Sequence, residues 1–278
     1  MRRRSFLLGG LALTAAPILS RAAEPRLSLI GSLEQGSLAI GKTAPGATVR
    51  VNGESVSLAK DGTFAFGFEW DQKSATKLAA QFADGTTDSR DVTPIVRKYE
   101  VQSISGLPEK YVAPPPDIVA RIKRENALVA EARRRDTAGE GFAEPFDWPV
   151  PGIVSGLFGS QRILNGVASA PHFGVDIAAP EGTPIHAPAG GIIVLAEPDF
   201  YLTGGTTVLD HGHGVFTVYI HQSALKAAVG QSVKRGDVIG LVGMKGRATG
   251  PHLHWGLNWF QMRLDPSLSA RTPAPAKA

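Results

Sequence analysis

What most constrains the fold of this chain is the punctuation of its C-terminal half. From Phe146 onward, apolar β-branched runs recur: Gly191-Ile192-Ile193-Val194-Leu195, Thr207-Val208-Leu209, residues 215–220 and Val238-Ile239-Gly240-Leu241-Val242. Gly204-Gly205, Gly212 and Gly236-Asp237 separate them. Such runs fit a pleated, half-buried surface, and the glycines supply the turns. No stretch between them reads as a crossover helix, so the strands are expected to run antiparallel. The 32 Gly and 20 Pro, against only 3 Met, favour many short strands and turns.

Residues 26–97 show shorter runs of the same kind, such as Leu27-Ser28-Leu29-Ile30, Ser37-Leu38-Ala39-Ile40 and Thr48-Val49-Arg50-Val51. Asn52-Gly53, Asp61-Gly62 and Asp84-Gly85 read as hairpin turns between them. The spacing predicts a small antiparallel β-sandwich-like domain over residues 23–97. It holds no catalytic constellation and reads as a spacer or packing module. Residues 98–145 form a connector punctuated by Leu107-Pro108 and Pro114-Pro115-Pro116. One helix is predicted over 117–134, because Ile118, Ile122, Val129 and Ala132 fall near helical spacing. Asp117 suits its N-terminus, and Arg133-Arg134-Arg135 reads as a solvated C-terminal end. The helix could lie against the following domain or cover its groove; the sequence leaves both open. The expected fold class is therefore mainly β: an antiparallel β domain over 146–270, preceded by the sandwich and one connector helix. The Pro/Ala tail, 271–278, is expected to be disordered.

Residues 1–22 read as a targeting segment. Arg2-Arg3-Arg4 precedes an apolar stretch, 6–19, broken by Gly9, Gly10 and Pro17, and Ser20-Arg21-Ala22 offers a small-x-small cleavage site. The stretch is short of the ~20 residues that span a bilayer, so no stable membrane span is expected after cleavage. Arg3-Arg4-Ser5-Phe6-Leu7 resembles a twin-arginine export signal. The expected location is outside the cytoplasm, in the periplasm. The formal charge of +4 comes from this segment: four arginines and no acid leave +4 − 4 = 0 for the rest. A chain without excess positive charge gives no case for nucleic-acid binding. The absence of cysteine rules out disulfides and thiolate metal sites.

All seven histidines lie between positions 172 and 254. His172-Phe173-Gly174-Val175-Asp176 is an H-x-x-x-D arrangement, and His252-Leu253-His254 is H-x-H. Residues two apart on a strand face the same side, so His252 and His254 would present both rings to one surface. Two imidazoles and a carboxylate suit Zn²⁺, whose catalytic sites use three protein ligands and keep one position for water. His211 and His213 form a second H-x-H, but the glycines around His213 fit a turn better than a rigid ligand pair, so one metal is expected. His186 reads as a surface turn or strand start. Arg162 and Asn165 are candidates for the groove wall, with a structural ion pair as the alternative for Arg162.

With these blocks in view, the sequence resembles the lysostaphin-like zinc endopeptidases of the bacterial cell wall. Phe158-Gly159-Ser160-Gln161-Arg162 followed by Pro171-His172-Phe173-Gly174-Val175-Asp176-Ile177-Ala178 matches that family's first block. Tyr219-Ile220-His221-Gln222-Ser223 matches the middle one, where Leu usually stands in place of Gln222, and Gly250-Pro251-His252-Leu253-His254-Trp255 the last. The resemblance covers roughly residues 150–266 and says nothing of the N-terminal β region. It implies that His172, Asp176 and His254 bind zinc. It implies that His221 and His252 stand beside the metal, one taking a proton from water and one stabilising the oxyanion, with the two roles undivided. The H-E-x-x-H motif is absent, which leaves histidine as the base. The implied substrate is the cross-linked stem peptide of peptidoglycan.

Three rivals compete. A metal-free member of the same fold could activate another wall hydrolase, but such proteins lose ligands that this chain keeps. A biotinyl or lipoyl carrier fits the wording of residues 233–242 with Lys245 following, yet Gly246 after Lys245 is wrong for a carrier and the histidines go unexplained. A zinc enzyme acting on Gly-rich extracellular proteins is not separated by composition. No regulatory partner and no wall-anchoring repeat can be named from the sequence.

Overall fold

The computed structural model describes residues 26–271 and 275–277; the targeting segment read over 1–22 lies outside the described residues. Seven strands come first: β1 (Leu27–Ile30), β2 (Leu38–Thr43), β3 (Thr48–Val51), β4 (Glu54–Val56), β5 (Thr63–Gly67), β6 (Thr76–Gln81) and β7 (Thr87–Val92). They form two antiparallel sheets, β1-β2-β5 and β4-β3-β6-β7. Alternation decides what they bury. Val49 and Val51 point inward while Thr48 and Arg50 face solvent, and Leu78 and Ala80 do the same on β6. These residues meet Leu27, Ala39, Phe64 and Phe66 in one core between the sheets, which makes a small sandwich. Asn52 and Gly53, both with positive φ (51° and 90°), close the turn between β3 and β4 as an Asn-Gly pair should.

The connector supplies β8 (Val101–Ile104) and one helix, α1 (Pro116–Ala132). The larger unit follows with β9 (Ile153–Gly156), β10 (Gln161–Leu164), β11 (Val167–Ala168), β12 (Val175–Ala178), β13 (Pro184–His186), β14 (Gly191–Phe200), β15 (Gly204–Gly212) and β16 (Val215–Gln222). It continues with β17 (Ala224–Leu225), β18 (Ser232–Val233), β19 (Val238–Leu241), β20 (His252–Trp259), β21 (Met262–Leu264) and β22 (Ala276–Lys277). Its main sheet runs β18-β14-β15-β16-β20-β12-β9-β22, with β21 beside β20. Strands β14, β15, β16, β20 and β12 pair antiparallel, and the short turns that join β14 to β15 and β15 to β16 suit that direction. On one face Val175, Ile177, Tyr219, Leu253, Trp255 and Leu257 bury a core. On the other, α1 packs Ala132 and Val129 against Val194, Val208, Phe216 and Val218. The helix therefore lies against this sheet. Among the described residues no helix is long and apolar enough to cross a membrane.

Two expectations need correction. The tail is not wholly without structure: Ala276 and Lys277 pair in parallel with Ile153 and Val154, because β9 otherwise offers an open edge of backbone donors and acceptors. Nor is the basic run after α1 uniformly solvated. Arg134 is exposed, but Arg133 is 3% exposed and donates to Gln261, whose side chain in turn donates to the Ala130 carbonyl. Burial pushes the Arg133 guanidinium down to about 9. Arg133 thus ends the helix against the turn between β20 and β21, while Arg134 and Arg135 stay exposed.

The sandwich is fastened to the larger unit. Leu38 and Ala65 belong to the core of the main sheet. Arg97 pairs with the buried Asp265 carboxylate at 2.9 Å. Trp70, Tyr99, Phe158 and Phe173 form a chain of aromatic contacts with ring centroids 5.7–6.5 Å apart.

Candidate metal centre

Pairing of β12 with β20 sets Asp176 directly opposite His254, and Ala178 opposite His252. The alternation of β20 buries Leu253, Trp255 and Leu257 in the core and leaves His252 and His254 on the other face. His172 comes from the loop before β12. That loop is held by two backbone bonds, Gly159 N–H to His172 O at 2.7 Å and His172 N–H to Ser160 O at 2.9 Å. The Phe158–Arg162 block of the sequence thus positions His172. Gly174 is required here, because a Cβ on it would collide with the His254 ring.

Three atoms converge. His172 Nε2 lies 2.9 Å from His254 Nδ1 and 3.0 Å from Asp176 Oδ1, and His254 Nδ1 lies 2.9 Å from the same oxygen. His172 donates from Nδ1 to the Leu157 carbonyl, which can only accept, so Nε2 presents a lone pair. A lone pair facing a carboxylate oxygen and a second ring nitrogen makes a set of three donors that could hold a cation between them. Bonds of about 2.0–2.1 Å at tetrahedral angles would set ligand atoms about 3.3 Å apart, close to these edges. The donor set, two imidazoles and one carboxylate, is one that zinc accepts. The residues fit a bound metal.

Electrostatics agree. Burial would raise the Asp176 carboxyl, but His172 and His254 outweigh it and hold it well below the usual carboxylate range. Burial pushes the His254 ring down to about 4, so it stays neutral with a lone pair to give. Arg162 donates from Nη2 to Asp176 Oδ2 at 2.6 Å, leaving Oδ1 turned toward the histidines.

His221 and His252 stand beside this cluster. Their rings are 4.7 Å apart, and His221 is 6.5 Å from the His254 ring. His252 Nε2 is 3.8 Å from Asp176 Oδ1. His221 donates from Nδ1 to the Lys245 carbonyl at 2.7 Å and His252 from Nδ1 to the Gly250 carbonyl at 2.8 Å, which frees Nε2 on both. Burial, then the neighbouring His252 and His254, push His221 down to about 3. Its backbone takes a left-handed φ of 64°, a conformation costing roughly 1–2 kcal/mol off glycine. Strain of this kind is stored where a side chain must be re-aimed.

The other histidines are placed elsewhere. His186 ends β13 and bonds the Gly236 carbonyl. His211 is fully buried on β15 against Phe146, whereas His213, at φ 52°, stacks on Phe142 in the turn. Neither belongs to the cluster. Lys245 is not at a hairpin tip but in the loop between β19 and β20, and β18 and β19 do not pair with each other. Asn165 clasps the backbone of Leu107, its amide oxygen accepting from the Leu107 N–H and its amide nitrogen donating to the Leu107 carbonyl.

A groove of about 240 Å³ opens over His221, His252 and Asp176. Its walls include Gln102 of β8 and Arg247, neither of which the sequence singled out. The signal available was slight: a lone arginine three residues before Gly250.

Residues 170–266 match the profile of Peptidase family M23. Over 88 residues the chain is 44% identical to the peptidoglycan DD-endopeptidase ShyA of Vibrio cholerae, covering 32% of this chain and 20% of that one. Over 85 residues it is 47% identical to the DD-carboxypeptidase/endopeptidase Mpg of Neisseria meningitidis, covering 30% and 19%. The chain spans about a fifth of the length of these curated relatives. A Pseudomonas aeruginosa crystal structure, solved as that of a candidate M23 peptidase, superposes with a TM-score of 0.65 at 29% identity, over 85% of this chain and 94% of that one.

Proposed function

The chain carries a Peptidase family M23 domain, and from that premise we propose that it is a zinc-dependent endopeptidase cutting the peptide cross-links of bacterial peptidoglycan. The observation that carries the reading is the convergence of His172 Nε2, His254 Nδ1 and Asp176 Oδ1 on one point beside two further histidines. A zinc ion held by these three atoms supplies a Lewis acid for the scissile carbonyl and lowers the pKa of water. The chain's own groups do the rest. The carbonyls of Leu157, Lys245 and Gly250 fix the ring protons on Nδ1 of His172, His221 and His252. With those protons on Nδ1, the Nε2 atoms of His221 and His252 are the ones left to accept a proton from the attacking water. Neither ring can donate to an oxyanion at rest. The ring that takes the proton becomes the donor at that same atom, so base and oxyanion stabiliser act in sequence. Residues 1–22 direct export to the periplasm by the twin-arginine route, residues 23–97 are a packing module, 98–145 a connector and 146–270 the catalytic domain.

The test is zinc content and release of cut stem peptides from one purified sample of the mature chain. We expect about one zinc per chain and hydrolysis abolished by a chelator. His172→Ala should lose both metal and turnover, and a fully active variant would overturn the ligand set. His221→Ala should keep zinc and lose most turnover; loss of the metal would instead make His221 a ligand.

A further inference from the structure

The groove is unevenly charged for a chain whose described part is near neutral. Asp176 is the one acid among its lining residues, while Arg162 and Arg247 are both cations. Arg162 is accounted for by Asp176 at 2.6 Å. Arg247 is not: among the described residues no carboxylate lies within 4.0 Å of its guanidinium, and no side-chain hydrogen bond engages it. The charge that acts on it is another guanidinium, that of Arg162. Burial and Arg162 together push its pKa down, as expected for a cation kept without a counter-ion.

The loop that presents Arg247 is held in place. Arg247 N–H bonds the Leu202 carbonyl at 2.8 Å. Gly246, at φ +77°, presses against the Leu202 carbonyl with no room for a side chain. Two residues before Arg247, the Lys245 carbonyl orients His221 at 2.7 Å. The backbone that carries the guanidinium is thus fixed relative to a proton-accepting ring of the site. An unpaired, partly desolvated guanidinium is a ready fork for a carboxylate, which it can hold by two parallel hydrogen bonds.

We propose that Arg247 is the carboxylate-recognition residue of this groove and selects peptide substrates carrying a free carboxylate near the scissile bond. The inference rests on the endopeptidase reading above, whose substrates are peptides and therefore present carboxylates as their anionic groups. Arg247 does not share in bond cleavage; it binds and orients.

The experiment uses the zinc-loaded mature chain and paired synthetic stem peptides, one ending beyond the scissile bond in a free carboxylate and the other in the carboxamide. The wild type should prefer the carboxylate peptide by about 10–100-fold in kcat/KM, the range of a charge-assisted hydrogen bond. In Arg247→Gln the ratio should fall to about 1 at unchanged zinc content, and Arg247→Lys should recover part of it. Calorimetric binding of the uncleavable product fragments, acid and amide, should show the same Arg247-dependent preference. A wild type without preference, or a preference that survives in Arg247→Gln, would overturn the inference while leaving the endopeptidase reading intact. Arg247-dependent binding of the acid without cleavage of any wall peptide would uphold the inference and remove that reading.

Discussion

Arg162 holds one oxygen of Asp176 while the other faces the histidines. The sequence left Arg162 between a groove residue and an ion-pair partner; the structure gives it both places, since it lines the groove and pairs with the carboxylate. Such a partner fixes the orientation of a metal ligand. Arg162→Ala should therefore weaken zinc affinity by about 10–100-fold with the fold retained, read by competition with a chromogenic chelator; unchanged affinity would mean that the β12–β20 pairing alone orients Asp176. Gln222 offers a second test. It is fully buried, donates to Thr207 Oγ1 and the Tyr219 carbonyl, and leaves Oε1 with no partner. An orphaned buried acceptor costs roughly 1–3 kcal/mol, which offsets the bonds its amide makes. Gln222→Leu, the residue common in the resembled family, should thus be neutral or raise stability by about 1 kcal/mol in urea unfolding. A loss above about 2 kcal/mol would show that the two donated bonds dominate. The cluster's own residues were legible because each comes in a short block whose chemistry survives without neighbours. Arg247 was not, because its lack of a partner is a property of space, not of spacing.

At the level of elements, His211 shows how a strand constrains a titrating group. It sits buried near the end of β15 in the main sheet, donating from Nδ1 to the Gly190 carbonyl and accepting from Thr217 at Nε2. Burial pushes it down to about 4. In the unfolded chain it titrates near 6.5. Above 6.5 both states are neutral and its contribution is fully present. As pH falls through 6.5 toward 4, the unfolded chain takes up a proton that the folded chain refuses, and stability declines by about 3 kcal/mol in all. Roughly 2 kcal/mol of that is lost by pH 5. The metal-free chain shares this trend with His221 and His254, so the measurement compares it with His211→Gln. The variant should be less stable at pH 7.5 and lose distinctly less on going to pH 5; parallel losses would exclude His211 as the source. Periodicity exposed the strands themselves, and the helix, predicted over 117–134, spans Pro116–Ala132. It did not expose the parallel pairing of β8 with β10, which builds one wall of the groove from the connector. That pairing joins segments far apart in the chain, and no local pattern encodes it.

Across the whole molecule, the sandwich reaches the candidate metal cluster without touching it. Trp70, from the segment after β5, packs its ring 6.1 Å from Phe173, the neighbour of His172. Tyr99 bridges Trp70 to Phe158 and donates to the Trp70 carbonyl at 2.7 Å. Phe158 in turn stands beside Leu157, whose carbonyl holds His172 Nδ1. The His172 loop is thus wedged between the larger unit and an aromatic buttress belonging partly to the sandwich. Because Leu38 and Ala65 also enter the main core, the two parts should unfold in one calorimetric transition rather than two. Trp70→Ala should remove about 2–3 kcal/mol, less than for a fully buried tryptophan because Trp70 is only partly buried. If the buttress sets the position of His172, the same variant should weaken zinc binding severalfold, although Trp70 contacts no ligand. Trp259→Ala, at the seam between the sandwich core and the main core, controls for stability loss alone: it should cost a similar free energy with less effect on zinc. Equal zinc affinity in both variants would reduce the sandwich to a packing module, whereas selective loss in Trp70→Ala would make residues 26–97 part of what shapes the site.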